Sequence, residues 1–115
     1  MKIGEVCLLT NDVIRLSNFY KDLFEIDNGS DDNTHQFIIS EETTLTIYND
    51  GKERKTNHQN ICIAFTVDDL DIEFERLKAL GIEIIDPPTV RPWGAKNMTF
   101  SDPDGNSITF RCFPK

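Results

Sequence analysis

The chain repeats itself at a fixed spacing. The segment Glu5–Val13 lines up with Cys62–Leu70, and the offset is constant, because 62 minus 5 equals 69 minus 12. The match continues through the next segment, from Leu23 to Leu80. Each copy shows an alternating strand pattern, an acidic or amide cap, and an amphipathic helix. A duplication of this length indicates that one supersecondary unit is used twice, and we expect the matched strands of the two copies to face a shared cleft.

The hydrophobic pattern predicts the elements of both copies. In the first copy we predict a strand, a helix, a very short strand and a hairpin, over residues 3–10, 13–24, 25–28, 35–40 and 43–49. In the second copy we predict the same order, over residues 60–67, 70–80, 82–86, 97–101 and 107–113. Gly81 is expected to end the second helix in a left-handed conformation. Pro87-Pro88 is expected to end the short strand before a loop at 89–95.

These elements predict one α+β domain spanning residues 1–115. It consists of two tandem βαβββ modules, at about 1–50 and 60–115, with a linker at about 51–59. We expect the modules to form a curled mixed sheet around a cleft, with the helices on the outer face.

Charge and composition argue against two classes of protein, nucleic-acid-binding proteins and membrane proteins. The net charge of −8 argues against a nucleic-acid partner, which needs a basic footprint. No apolar run approaches the roughly 20 residues that span a bilayer, and the N-terminal residues enter a strand pattern directly. We therefore expect a cytoplasmic protein without a membrane partner. The odd number of cysteines, Cys7, Cys62 and Cys112, favours buried free thiols.

Alternation along the strands separates an apolar face, for the helices to cover, from a mixed face that bears hydrogen-bonding groups. The mixed face is expected to line the cleft. It is predicted to carry Glu5, Cys7, Thr44, Thr46, Tyr48, Asn60, Cys62, Thr66, Ser107, Thr109 and Arg111.

Several motifs together resemble the vicinal oxygen chelate superfamily, the glyoxalase, bleomycin-resistance and extradiol dioxygenase group. They are Ile3-x-Glu5-Val6-x-Leu8, the Asn11-Asp12 cap, Phe19–Phe24, Ile63–Leu70, and Asp102-Pro103-Asp104-Gly105-Asn106. The resemblance covers nearly the whole chain, and the last motif is the most specific. It implies paired βαβββ modules around a cleft, and members that commonly dimerise.

The resemblance also implies where a divalent metal would bind. Enzymes of the group hold the ion with His, Gln or Glu at four positions, which fall here on Glu5, Thr46, Cys62 and Thr109. Only Glu5 is an ordinary ligand of the group. A catalytic site needs about three protein ligands, so we expect no cofactor, although a divalent metal at a divergent site stays open. His35 and His58 are interpreted as solvated.

A ligand cleft remains, and three functions stay open for it. The first is a metal-independent binding protein that sequesters a small molecule; the second is a metal-dependent lyase, isomerase or dioxygenase; the third is a dimeric structural or regulatory module. A homodimer is expected because open sheets leave edges to cover. Trp93 is either an aromatic platform for a ligand or a core residue. The ligand-binding candidates are Glu5, Cys7, Phe37, Thr46, Tyr48, Cys62, Arg91, Trp93, Thr109 and Arg111.

Overall fold

The computed structural model describes residues 3–53 and 62–113. The chain divides into two compact units, Met1–Thr56 and Asn57–Lys115, and the division falls inside residues 51–59, the predicted linker. Each unit has one helix packed on a face of one mixed sheet, which confirms the predicted α+β class. None of the helices in the described ranges is long and apolar enough to cross a membrane.

The first unit has one helix and three strands. Its elements are β1 (Glu5–Leu9), α1 (Val13–Phe24), β2 (His35–Ser40) and β3 (Thr44–Tyr48). The strand order is β1-β3-β2, so that β3 is central, parallel to β1 and antiparallel to β2. The sheet edges are therefore β1 and β2.

The second unit has one helix and four strands. Its elements are β4 (Cys62–Thr66), α2 (Leu70–Ala79), β5 (Ile84–Val90), β6 (Lys96–Ser101) and β7 (Ser107–Cys112). The strand order is β4-β7-β6-β5, with β4 and β7 parallel and the other pairs antiparallel. The homodimer expected from exposed edges stays a prediction.

The sequence repeat is visible in the structure. β1 and β4 begin and end at matched positions of the two copies. The helices α1 and α2 also begin at matched positions, Val13 and Leu70. The caps repeat too, since Asp12 and Asp69 each accept a hydrogen bond from the backbone N–H three positions later. These donors are Arg15 at 3.1 Å and Ile72 at 3.2 Å. Because a cap satisfies an N–H that the helix cannot, both helices begin where the sequence predicts.

The short strand predicted at residues 25–28 is not formed. Glu25 adopts the left-handed conformation, with φ of 56°, and the N–H of Ile26 donates to the carbonyl of Lys21 at 3.0 Å. This bond ends α1 in the manner of a Schellman motif. The following backbone then turns, because the side chain of Asp27 accepts a bond from the N–H of Gly29 at 2.8 Å. The end of α1 and the turn that follows it therefore occupy the residues predicted to form a short strand.

β5 extends further than predicted. It continues through Pro87 and Pro88 to Val90, where the sequence predicts that the prolines end it. Proline cannot donate to a strand ladder, but β5 is an edge strand and its register shifts between Asp86 and Thr89. An edge position and a bulge are the two places where a sheet accepts proline, so the pair is accommodated.

Each unit has its own core, between its helix and the apolar face of its sheet. The fully or nearly fully buried apolar side chains of the first unit are Leu8, Val13, Leu16, Tyr20, Leu23, Ile38, Leu45 and Ile47. Those of the second unit are Leu70, Leu77, Ala95, Met98, Phe100, Ile108, Phe110 and Cys112. The opposite face of each sheet carries the mixed residues that the alternation predicts, except Asn60, which lies outside the described residues.

The thiols do not share one environment. Cys112 is buried on the helix side of the second sheet, whereas Cys7 and Cys62 are exposed on the mixed faces of β1 and β4. The expectation of three buried thiols is therefore wrong for two of them. Their strands explain the difference, because Cys7 and Cys62 alternate with the apolar residues that face the helices.

The Asp102–Asn106 turn, which joins β6 and β7, is built around a buried carboxylate. Asp102 is 5% exposed, and its Oδ1 accepts the backbone N–H groups of Asp104 and Asn106, both at 2.9 Å. Its Oδ2 accepts the side-chain amide of Asn106 at 2.7 Å. The turn therefore depends on one side chain for three hydrogen bonds.

Asp102→Ala is expected to lower the free energy of unfolding by about 1–3 kcal/mol, because donors at a buried turn lose their acceptor. Asp31→Ala, at an exposed turn position, is the matched control and should change stability by no more than about 0.5 kcal/mol. Urea unfolding followed by circular dichroism measures both. An Asp102→Ala protein as stable as the control would contradict the assigned role of the carboxylate.

Candidate functional site

Glu5 and Thr46 meet on the mixed face of the first sheet. The Thr46 hydroxyl donates a hydrogen bond to Oε2 of Glu5 at 2.7 Å, and Thr46 is 1% exposed. Both residues stand at positions where the resemblance implies metal ligands. In a metal site, the Glu5 carboxylate would bind the ion. Here one of its oxygens accepts a hydrogen bond from the Thr46 hydroxyl.

Cys62 and Thr109 form the equivalent contact in the second unit. The Cys62 Sγ lies 3.2 Å from the Thr109 Oγ1, and that oxygen lies 3.3 Å from the Thr99 Oγ1 on β6. The result is a short row of one thiol and two hydroxyls across β4, β7 and β6. Each of these three groups can both donate and accept a hydrogen bond, so the row can pair with either a donor or an acceptor of a ligand.

The two contacts share one geometry because the strand pairing is the same. In register, Glu5 lies opposite Thr44 and Cys62 lies opposite Ser107. In each unit the contact runs diagonally to the residue two positions further along the parallel partner strand. The pairing of the first and last strands of each unit therefore brings the four implied ligand positions together as two pairs.

These four side chains do not fit a catalytic divalent metal. Two are neutral hydroxyls, one is a thiol already within contact of a hydroxyl, and one is a carboxylate that accepts from threonine. Within residues 3–53 and 62–113, no group of three His, Cys, Asp or Glu side chains is placed to hold an ion. The donor set falls short of the three protein ligands that such sites use.

Three rings cluster beside Glu5 and Thr46. His35 packs edge-on against Phe37 and Tyr48, with ring centroids 4.6 and 5.7 Å apart. Phe37 is 56% exposed and Tyr48 is 37% exposed. His35 is therefore partly rather than fully solvated, because it is half-buried against these two rings. His58 lies outside the described residues.

Arg111 projects from β7 on the mixed face of the second sheet. Its Nε donates to the Thr66 hydroxyl at 3.0 Å, and its guanidinium carbon lies 5.2 Å from the centroid of the Phe113 ring. These two contacts, one hydrogen bond and one cation–π contact, orient the guanidinium. Arg111 itself remains exposed.

Arg91, by contrast, is held by its own neighbours. Its Nε donates to Oδ1 of Asn97 at 2.6 Å, and one Nη forms an ion pair with Asp86. Its backbone N–H closes the β5–β6 hairpin by donating to the carbonyl of Ala95 at 2.7 Å. Arg91 therefore stabilises the hairpin through both its side chain and its backbone.

Trp93 lies at the tip of that hairpin and is 70% exposed. Pro92 and Trp93 occupy the centre of a turn closed by the N–H of Gly94, which donates to the carbonyl of Arg91 at 3.0 Å. Gly94 adopts φ of 94°, which a residue with a side chain rarely does. Of the two interpretations of Trp93, the structure excludes the core residue, and an exposed aromatic surface remains.

The comparisons with known proteins agree with this architecture. A sequence model of the Glyoxalase/Bleomycin resistance protein/Dioxygenase superfamily matches residues 2–110. The chain belongs to this superfamily. The vicinal oxygen chelate resemblance is thereby confirmed for nearly the full length of the chain.

Individual relatives match most of the length of the chain. YraH of Bacillus subtilis (strain 168), described as uncharacterized, is 30% identical, over 94% of this chain and 95% of its own. A glyoxalase/bleomycin resistance protein/dioxygenase from Nocardioides matches with a TM-score of 0.79 and 21% identity, covering 100% of this chain and 85% of that chain. Lactoylglutathione lyase from Agrobacterium tumefaciens matches with a TM-score of 0.73 and 20% identity, covering 96% of this chain and 92% of that chain. At these identities the two structures show the fold alone.

Sequence reasoning missed some residues of the mixed faces. It did not name Thr99 and Asn97 of β6, and it did not count Asp86 among the site residues. The signal was present for β6, because residues 96–101 alternate and Met98 and Phe100 are the buried members. Applying the alternation rule to β6 places Asn97 and Thr99 on the mixed face.

Cys7 lies on β1, two residues after Glu5, and its register partner on β3 is Thr46. Partial burial raises the pKa of the Cys7 thiol, and the negative charges of Glu5 and Asp50 raise it further. All three causes disfavour the thiolate. At neutral pH Cys7 is therefore a thiol and a poor nucleophile, although part of its surface is accessible.

In a Cys62→Ser background, iodoacetamide labelling of Cys7 should reach half its maximal rate at a higher pH than labelling of a free cysteine. Glu5→Gln removes one negative charge, so it should lower the pKa and speed labelling at any fixed pH below it. The shift should be partial, because burial is the largest cause. Peptide mass spectrometry across the alkaline range measures both rates. Labelling that matches free cysteine would contradict the raised pKa.

Proposed function

We propose that this protein is a metal-independent small-molecule-binding protein that holds its ligand on the mixed face of a sheet. The observation that carries the proposal is the way the four implied ligand positions pair off, Glu5 with Thr46 and Cys62 with Thr109. These side chains bond to one another instead of converging on a metal ion, and Glu5 and Cys62, which are exposed, can form further hydrogen bonds to a ligand.

The chemistry of the two faces supports binding. Small-molecule sites combine apolar and aromatic surface with a few fixed polar groups. The first unit offers the rings of Phe37 and Tyr48 beside the Glu5 carboxylate. The second offers the Thr109 hydroxyl and the Arg111 guanidinium, both already oriented by neighbours. Each face therefore has the mixture that a ligand site requires.

The enzyme hypothesis has less support in these residues. A metal-dependent lyase or dioxygenase needs an ion to polarise an oxygen, and the hydroxyls of Thr46 and Thr109 are weak ligands for that purpose. The Cys62 thiol lies beside a hydroxyl but beside no histidine among the described residues that would activate it. Binding without chemistry is the function that the donor groups fit best.

Protein purified without chelator is expected to carry well below one divalent ion per chain, because two of the four implied positions bear neutral hydroxyls. Elemental analysis by mass spectrometry measures the content, with a zinc protein purified in parallel as the positive control. Cys62→Ala separates adventitious metal from bound metal. One tightly held ion per chain that Cys62→Ala releases would contradict the proposal and favour an enzyme.

Ligand binding is expected to change the fluorescence of Trp93, the only tryptophan in the chain. A bleomycin-type glycopeptide and a panel of cationic, neutral and anionic aromatic compounds are the probes. Stacking on an exposed indole contributes roughly 0.5–1.5 kcal/mol beyond area, so Trp93→Ala should weaken binding by about tenfold. Val90→Ala, at another exposed apolar position of the same hairpin, should leave affinity unchanged.

If the fluorescence does not change, calorimetry with the same panel distinguishes binding away from Trp93 from the absence of binding. Heat without a fluorescence change would place the ligand away from Trp93 while supporting small-molecule binding. No heat with any compound would count against the binding protein and favour the structural module.

A further inference from the structure

The arginines of this chain differ in what they pair with. Of those that the structure describes, Arg15 pairs with Asp12, Arg76 with Glu73 and Arg91 with Asp86. Arg111 pairs with no carboxylate in residues 3–53 and 62–113; its contacts are the Thr66 hydroxyl and the Phe113 ring. Among the described arginines, Arg111 therefore differs from the other three in having no acidic partner.

The contacts of Arg111 leave its anion-binding edge available. A guanidinium has five N–H donors, and Thr66 takes the one on Nε. The guanidinium carbon lies over the Phe113 ring, 5.2 Å from its centroid, and neither Nη group donates to an acceptor among the described residues. Both Nη groups therefore keep their donors, on a side chain that is exposed and already oriented. This is the arrangement in which arginine binds a planar carboxylate or a phosphate oxygen pair.

The surroundings of Arg111 suit an anion. Across the sheet, its register partner on β6 is Asn97, and its partner on β4 is Thr66. Two residues back along β7 is Thr109, whose hydroxyl is within reach of Cys62. Asp86, which lies two strands away on β5, forms an ion pair with Arg91. The strands β4, β6 and β7 therefore place no carboxylate beside Arg111, although Asp68 and Asp69 line pockets with Thr66 and Phe113.

We propose that Arg111, held by Thr66 and Phe113, anchors an anionic group of the ligand, a carboxylate or a phosphate, on the mixed face of the second sheet. This rests on the proposed function and adds the ligand class to it. Direct contact decides the sign of the ligand group, since the distant surface charges are screened beyond about 8–10 Å at physiological salt.

The test uses two probes of nearly the same shape, the anion 1-naphthoate and the neutral 1-naphthamide, titrated by calorimetry and by ¹⁵N–¹H NMR. The acid is expected to bind at least about tenfold more tightly than the amide, about 1.4 kcal/mol. Its addition should shift the backbone signals of Thr66, Asn97 and Arg111. Inorganic phosphate should compete with the acid and not with the amide.

Substitutions then assign the preference to the guanidinium. Arg111→Gln should abolish the preference for the acid by lowering its affinity alone, and Arg111→Lys should retain part of it, because lysine keeps the charge and loses the bidentate edge. Thr66→Val should lower the affinity for the acid a few-fold, because it frees the guanidinium of Arg111 to rotate. Arg15→Gln, which removes the same charge from the exposed face of α1, is the matched control and should bind as the wild type does.

The outcomes separate this proposal from the proposed function. Equal affinity for acid and amide, or an Arg111→Gln protein that still prefers the acid, overturns the anion anchor. Heat with other compounds of the panel would leave small-molecule binding standing. Failure of the acid to bind at all also overturns the anchor, and the proposed function falls with it only if the whole panel gives no heat. Unchanged thermal unfolding of Arg111→Gln checks that the variant is folded.

Discussion

The parallel pairing of the first and last strand in each unit is the constraint on which the rest depends. β1 lies beside β3, and β4 lies beside β7, although a helix and at least one further strand separate them in sequence. Parallel neighbours cannot be joined by a tight turn and need a crossover, which the helix and the intervening strands supply. Because the parallel register is the same in both units, Glu5 meets Thr46 and Cys62 meets Thr109 in the same way.

The repeat in the sequence made much of this fold predictable. The constant offset between the copies located the starts of both helices, since aspartate caps mark them, and alternation separated the apolar face from the mixed one. Prediction failed where local geometry overrides alternation. Glu25 takes a left-handed helix end instead of a strand, and Pro87 is tolerated because β5 lies at an edge with a shifted register. Neither exception has a signature in the hydrophobic pattern.

The candidate site was predictable as a list of residues but not as a set of contacts. Strand alternation placed Glu5, Thr46, Cys62 and Thr109 on the mixed faces. It did not indicate that Arg91 is occupied by Asp86 while Arg111 is held by a hydroxyl and a ring, because the partner of a long side chain depends on strand register and bulges. The chemical difference between two arginines of one sheet therefore emerges only from the structure, and it separates a side chain that stabilises a hairpin from one that is available to a ligand.

The two prolines of β5 also govern how the second sheet can grow. A strand that adds to a sheet edge requires a run of backbone N–H donors along that edge. Pro87 and Pro88 lack theirs, so β5 offers an interrupted ladder to an incoming strand. The opposite edge, β4, contains no proline between Cys62 and Thr66. Any extension of this sheet by main-chain hydrogen bonds is therefore directed to the edge that carries Cys62, and away from the Trp93 hairpin.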